Sequence, residues 1–206
     1  MSRRAPTSSR LAAGAVALVG GFGLAVQLVN STAFVGSVGG ALWGMARYYT
    51  NLGNAGVALI FACFALGLGV AQRPVLIGGA VINAALIGIV YRVMLAGIHH
   101  PGESPLASML LHNVAPPLAV LFWLVFAPRG LHWRDPLWWT VPPLAYFAYV
   151  LMRSAHDGHY PYPFIDVARI GWARTAVNAV VITLGFLVFG LGLVALDKLV
   201  KGGQRR

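Results

Sequence analysis

The sequence predicts an all-α, polytopic membrane protein with six transmembrane helices and both termini on the cytoplasmic side. Three observations carry that prediction. Of the 206 residues, 58% are hydrophobic and 10% charged, too few charges to cover a soluble surface of this size. The apolar residues gather in runs approaching the ~20 residues that cross a bilayer. Most basic residues fall in the short segments between those runs, as topology-setting charges do. The net charge of +10 therefore reads as membrane topology, and nucleic acid is not an expected partner.

The segment Met1 to Arg10 is polar and basic. The run 11–29 is longer than the ~7–15-residue core of a signal peptide, and Asn30-Ser31-Thr32-Ala33 is a weak cleavage match, so a retained first helix is expected. Residues 31–46, rich in Gly and Ser, are expected to form an outer loop or a short interfacial segment. The second helix covers about 47–70, and Gln72-Arg73-Pro74 makes a tight turn into the third, about 75–97, which carries Asn83 and Arg92. His99-His100-Pro101-Gly102-Glu103-Ser104-Pro105 reads as a loop. The fourth helix, about 106–126, is followed by a basic turn at 128–136. The fifth, about 137–152, opens on Trp138-Trp139 at the interfacial aromatic belt. A long loop, 153–171, leads to the sixth, about 172–196. No internal repeat is evident, so 1–206 is expected to form a single transmembrane domain.

Six spans put both termini on one side. With the N-terminus inside, Arg3, Arg4, Arg10, Arg73, Arg129, Arg134, Lys198, Lys201, Arg205 and Arg206 are inner, against Arg47, Arg153, Arg169 and Arg174 outside, with Arg92 near the outer end. That imbalance favours N-in, C-in. Arginine in large excess over lysine (only Lys198 and Lys201) fits a GC-rich bacterial source, hence a multi-pass protein of the bacterial inner membrane. The single Cys63 excludes an intramolecular disulfide and any multi-cysteine metal site.

This topology collects the polar intramembrane residues in one outer layer. Arg47, Thr50 and Asn54 share one face at the start of the second helix. His112, two turns into the fourth, falls within ~5 Å of Thr50 in depth at ~1.5 Å per residue. Arg92, Tyr149, Arg153, Thr175 and Asn178 reach the same level. Pro116 and Pro117 deprive the carbonyls of His112 and Asn113 of their helical donors, and such groups at membrane depth need partners from another helix or a wet cavity. A threonine hydroxyl is unreactive near neutral pH unless a base takes its proton, and His112 is the best-placed base. Two plainer readings stand beside this one. Thr50 can bond its own backbone, and the prolines can serve packing alone. Arg47, Asn54, Arg92 and Asn113 are candidate oxyanion donors. Tyr149 and Arg153 form an outer stripe with Tyr146, and Asn178 joins them as a candidate substrate contact. The histidines and aspartates at 99–100, 156–159 and 166 match no zinc spacing, so no metal is expected. There is no P-loop, GxSxG or dinucleotide fingerprint, and no cofactor is expected.

Tyr48-Tyr49-Thr50-Asn51-Leu52-Gly53-Asn54 opening the second helix, a proline-followed histidine in the fourth, and Tyr160-Pro161-Tyr162-Pro163-Phe164-Ile165-Asp166 after the fifth resemble the bacterial branch of the androgen-induced protein and ADTRP family. The resemblance spans most of the chain. It departs at Gly53, where relatives often carry serine, and at Phe122, where they carry an acid. The animal members are intramembrane hydrolases of fatty acid esters of hydroxy fatty acids, using a threonine nucleophile and a histidine. The resemblance implies those roles for Thr50 and His112, with a membrane lipid or fatty acyl ester as substrate. The alternative expectation is a non-catalytic membrane protein that binds a lipid or small molecule in an outer-leaflet cavity. Oligomeric state is left open.

Overall fold

The computed structural model describes residues 5–98, 100 and 102–203; Arg3, Arg4, His99, Pro101, Arg205 and Arg206 lie outside them. Every described element is helical: α1 (Thr7–Val35), α2 (Val38–Met45), α3 (Tyr49–Ala65), α4 (Pro74–Leu95), α5 (Pro105–Phe126), α6 (Asp135–Trp139), α7 (Val141–Asp157) and α8 (Val167–Gly203). Four of these, α1, α4, α5 and α8, are long and apolar enough to cross a membrane, and α3 is a shorter apolar helix.

The boundaries depart from the expected ones for local reasons. Residues 31–46 are largely helical: α1 continues to Val35, and Ser37 then caps α2, its hydroxyl accepting from Gly40 N–H at 3.2 Å. The second run ends at Ala65, well before residue 70. There Gly67 takes φ +82° and Leu68 N–H bonds the Cys63 carbonyl at 3.0 Å, a Schellman stop. The fifth run divides at Thr140 into α6 and α7, because Pro142 and Pro143 supply no N–H to the preceding turn. The last helix starts at Val167, but Gly171, at φ +77° and ψ 162°, kinks it, so its long straight part begins at residue 172.

The helices pack α1 on α3, α3 on α4, and α4 on α5 and α8. Phe61 and Phe64 of α3 meet Phe122 of α5 edge to face, with centroids 5.0 and 5.3 Å apart, and all three rings are buried. Lipid chains are as apolar as these rings, so close packing contributes more here than removal from water. Polar groups tie the ends. At one end Arg10 donates to the Ala65 carbonyl at 2.8 Å and Arg129 to the Leu124 carbonyl at 2.7 Å, while Asp197 accepts from Gly130 and Leu131 N–H. At the other end Gln27 of α1 donates to the Gly102 carbonyl and accepts from Ser104 N–H, tying α1 to the start of α5.

Candidate active site

Thr50 stands in the first turn of α3. Tyr48 is the N-cap and its own side chain makes no capping bond, so the positive end of the helix dipole and its first amides face this region for partners from elsewhere in the chain. His112 stands in a single π turn, Leu110–Val114, whose closure bonds Ala115 N–H to the Leu110 carbonyl. Pro116 and Pro117 cannot donate, and a widened turn is the helix's accommodation to that loss. The displaced His112 carbonyl presses on α4 at Gly88, where an added Cβ would lie 3.1 Å from it and 3.2 Å from Pro116. Only glycine lets α4 and α5 approach this closely.

These local features bring two helices into register. His112 Nε2 lies 3.3 Å from Thr50 Oγ1. On the far side of the ring, Nδ1 lies 3.0 Å from the Ser108 carbonyl. A carbonyl only accepts, so Nδ1 carries the proton and Nε2 turns its lone pair to the threonine hydroxyl. Tyr91 of α4 stacks on the imidazole at 3.9 Å and 15°, and Ser108 Oγ donates to the Tyr91 hydroxyl at 3.2 Å. Ring plane, tautomer and distance are all those of a base facing a hydroxyl.

The other sequence candidates divide. Asn54 donates to the Thr50 carbonyl at 2.9 Å and leaves its own buried Oδ1 without a partner, so it steadies the turn below Thr50. Arg47 is bound to Asp157 and, at 2.6 Å, to the His159 carbonyl, while its own carbonyl accepts from Tyr146 at 2.7 Å. The guanidinium holds the Asp157 carboxyl well below the usual carboxylate range. Arg47 thus locks the start of α3 to the end of α7. Arg153 donates to the Tyr149 hydroxyl at 2.7 Å and lies 3.8 Å over the Trp43 ring, tying α7 to α2. Asn178 donates to the Phe164 carbonyl at 2.7 Å and fastens the 158–166 loop to α8. Asn113 is half-buried beside His112, and Arg92 is exposed.

Sequence reasoning missed Tyr162. Its hydroxyl accepts from Thr50 N–H at 3.4 Å and also meets the Thr50 side chain. The signal was present, since Tyr160 to Asp166 was singled out as a motif, but nothing in it revealed which residue it faces. Asn83, mid-span in α4 and out of phase with Arg92, is accounted for by α3: it accepts from Tyr49 OH at 2.6 Å and donates to the Gly53 carbonyl at 3.2 Å.

Two cavities meet at Thr50. One, of about 300 Å³, is lined by His112, Tyr91 and Ser108 together with Gln27, Asn51 and His159. The other, about 80 Å³ and almost wholly apolar, lies between α3, α4, α7 and α8 and is lined by Leu86, Ile87, Phe147, Ile182 and Phe186. Thr50, Leu95 and Tyr162 border both. Among the described residues no three His, Cys, Asp or Glu side chains converge as a metal would require. His99 of the loop cluster lies outside them.

The described residues thus form an all-helical protein with four helices long and apolar enough to cross a membrane, in which a half-buried threonine at the start of α3 faces a buried histidine of α5. Comparison with protein-family models, with curated proteins and with solved structures finds no match.

Proposed function

We propose that the protein is an intramembrane ester hydrolase of the bacterial inner membrane, with Thr50 as nucleophile and His112 as general base. The observation that carries the reading is the 3.3 Å approach of a lone-pair-bearing Nε2 to Thr50 Oγ1. Thr50 Oγ attacks the ester carbonyl carbon as its proton passes to Nε2. Collapse of the tetrahedral adduct expels the alcohol oxygen, which takes that proton and leaves an acyl-threonine. Water then repeats the sequence and restores both groups. A fatty acyl chain in the apolar cavity and the alcohol in the larger one would place the scissile carbonyl at Thr50, which fits a lipid-like substrate and the resemblance to the androgen-induced protein and ADTRP family.

The six-span, N-in and C-in arrangement belongs to the same reading. α3, with 17 residues, covers ~25 Å, and the expected fifth span, 137–152, lies within α6 and α7 at ~24 Å, so both serve as spans beside the four longer helices, with Asp157 beyond the outer end. The site then lies in the outer leaflet.

The test is labelling of the detergent-purified protein by a fluorophosphonate probe, alongside hydrolysis of medium-chain acyl esters. Labelling and turnover are expected in the wild type and lost in Thr50→Ala and His112→Ala, with melting unchanged. Undiminished labelling of Thr50→Ala would overturn the mechanism. A non-catalytic reading is favoured by one observation, the groove of about 630 Å³ lined by Arg169, Arg174 and Asn178, which suits an acidic headgroup. It predicts co-purified lipid, retained in both variants, and no turnover.

A further inference from the structure

The geometry points to Tyr162 as the oxyanion donor of this site, a catalytic residue whose phenolic O–H stabilises the tetrahedral intermediate formed on Thr50. The inference rests on the hydrolase reading above and adds the group that reading lacks. Of the oxyanion candidates named from sequence, Arg47 is committed to Asp157 and His159, Asn54 to the Thr50 carbonyl, Arg92 is exposed, and Asn113 borders neither cavity. Tyr162 is buried, borders both cavities and meets both the backbone N–H and the side chain of Thr50.

Its surroundings hold the phenol at Thr50 and keep it protonated. The phenolic oxygen accepts from the Thr50 amide in the first turn of α3, where the helix dipole is positive. A hydroxyl that accepts such a bond becomes a better donor in turn. Neighbouring Tyr146 donates its own proton to the Arg47 carbonyl at 2.7 Å, which leaves its oxygen as a neutral acceptor within reach of the Tyr162 O–H, a weaker partner than an oxyanion. Burial also pushes the Tyr162 phenol up, so it stays protonated at neutral pH. In the resting site the phenolic oxygen meets both the amide and the side chain of Thr50, and its own O–H can turn between Tyr146 and Thr50. Once Oγ1 bonds the carbonyl carbon, the negative oxygen forms one bond further on, within the swing of the same O–H. No proton leaves the tyrosine; the hydrogen bond exchanges a neutral oxygen for a charged one and strengthens.

The mount is built for precision. Tyr162 stacks on Phe164 at 5.2 Å and 4°, meets Tyr48 edge-on at 5.9 Å, and is followed by the Pro163–Ile165 turn that Asn178 pins to α8.

The experiment compares wild type, Tyr162→Phe and Thr50→Ala, as the full chain in detergent, on an oxoester and its matched thionoester, with melting recorded for each. A thiono sulfur accepts hydrogen bonds poorly, so an oxyanion donor makes the enzyme prefer the oxoester. Tyr162→Phe is expected to lose about 10²–10³-fold in kcat on the oxoester, with KM nearly unchanged, and to lose most of the oxo-over-thiono preference. Oxoester activity within about threefold of wild type, or an equal loss on both esters, would overturn the assignment. If Tyr162→Phe does not fold, 3,5-difluorotyrosine at 162 takes its place; a kcat indifferent to the more acidic phenol then overturns it. A wild type with neither turnover nor Thr50-dependent labelling sinks the hydrolase reading itself. Thr50-dependent turnover indifferent to Tyr162 removes only the tyrosine.

Discussion

At the scale of single residues, the two departures from the resembled family have separate structural accounts. An added Cβ at Gly53 would lie 2.7 Å from Ile87 Cδ1 and 2.9 Å from Asn83 Nδ2, the amide that donates to the Gly53 carbonyl. Gly53→Ser is therefore expected to cost about 1–3 kcal/mol through overpacking, read as a lowered melting temperature. Phe122 is ten residues beyond His112, ~15 Å along the helix, and sits in the aromatic cluster with Phe61 and Phe64. An acid placed there meets apolar rings and does not reach the histidine. The Arg47–Asp157 pair makes a pH prediction. Asp157 has a folded-state pKa below its ordinary value of 3.8, so its stabilisation is complete above that value and is lost as pH falls further. Asp157→Asn should lower the melting temperature modestly at neutral pH, given the solvent-screened carboxylate, and flatten its decline below about pH 4.

Among elements, the π turn of α5 and the start of α3 make the site, and α4 is the wall that sets their spacing. Gly88 bears this directly, because the atoms nearest an added Cβ are the His112 backbone carbonyl and the Pro116 ring, neither of which can swing aside. Gly88→Ala is expected to push α5 from α4, to lower stability by about 1–3 kcal/mol, and to reduce hydrolysis more than binding as His112 leaves its position over Thr50. Melting together with kcat and KM separates the two effects. The loop 158–166 is a third contributor. It carries Tyr162 to α3 although it follows α7, held by Arg47 at the His159 carbonyl, by Ser154 at the same oxygen at 2.7 Å, and by Asn178 at Phe164.

For the whole molecule, the arrangement of charge predicts a sidedness that can be measured. In a Cys63→Ala background, Glu103→Cys should react with a membrane-impermeant maleimide in intact cells, and Lys201→Cys only after permeabilisation; the reverse pattern would invert the topology. The all-helical class and the membrane-crossing helices were legible because hydrophobicity is summed over ~20 residues and tolerates local detail. Helix ends were not legible where they depend on single residues. The stop at Gly67, the cap at Ser37 and the kink at Gly171 each turn on one residue's backbone, and the hydropathy of the surrounding run conceals them. Depth along parallel helices is likewise a sequence quantity, and it placed Thr50 and His112 at one level. Azimuth is not: which face of α3 meets which face of α5 depends on glycine-permitted approach at Gly88 and on the re-registering π turn. The partners of Arg47, Asn54 and Asn178 were decided in the same way, by packing. So was the place of Tyr162, 112 residues from Thr50 in the chain, since a loop's landing point is fixed by the helices it must bridge and not by its own composition.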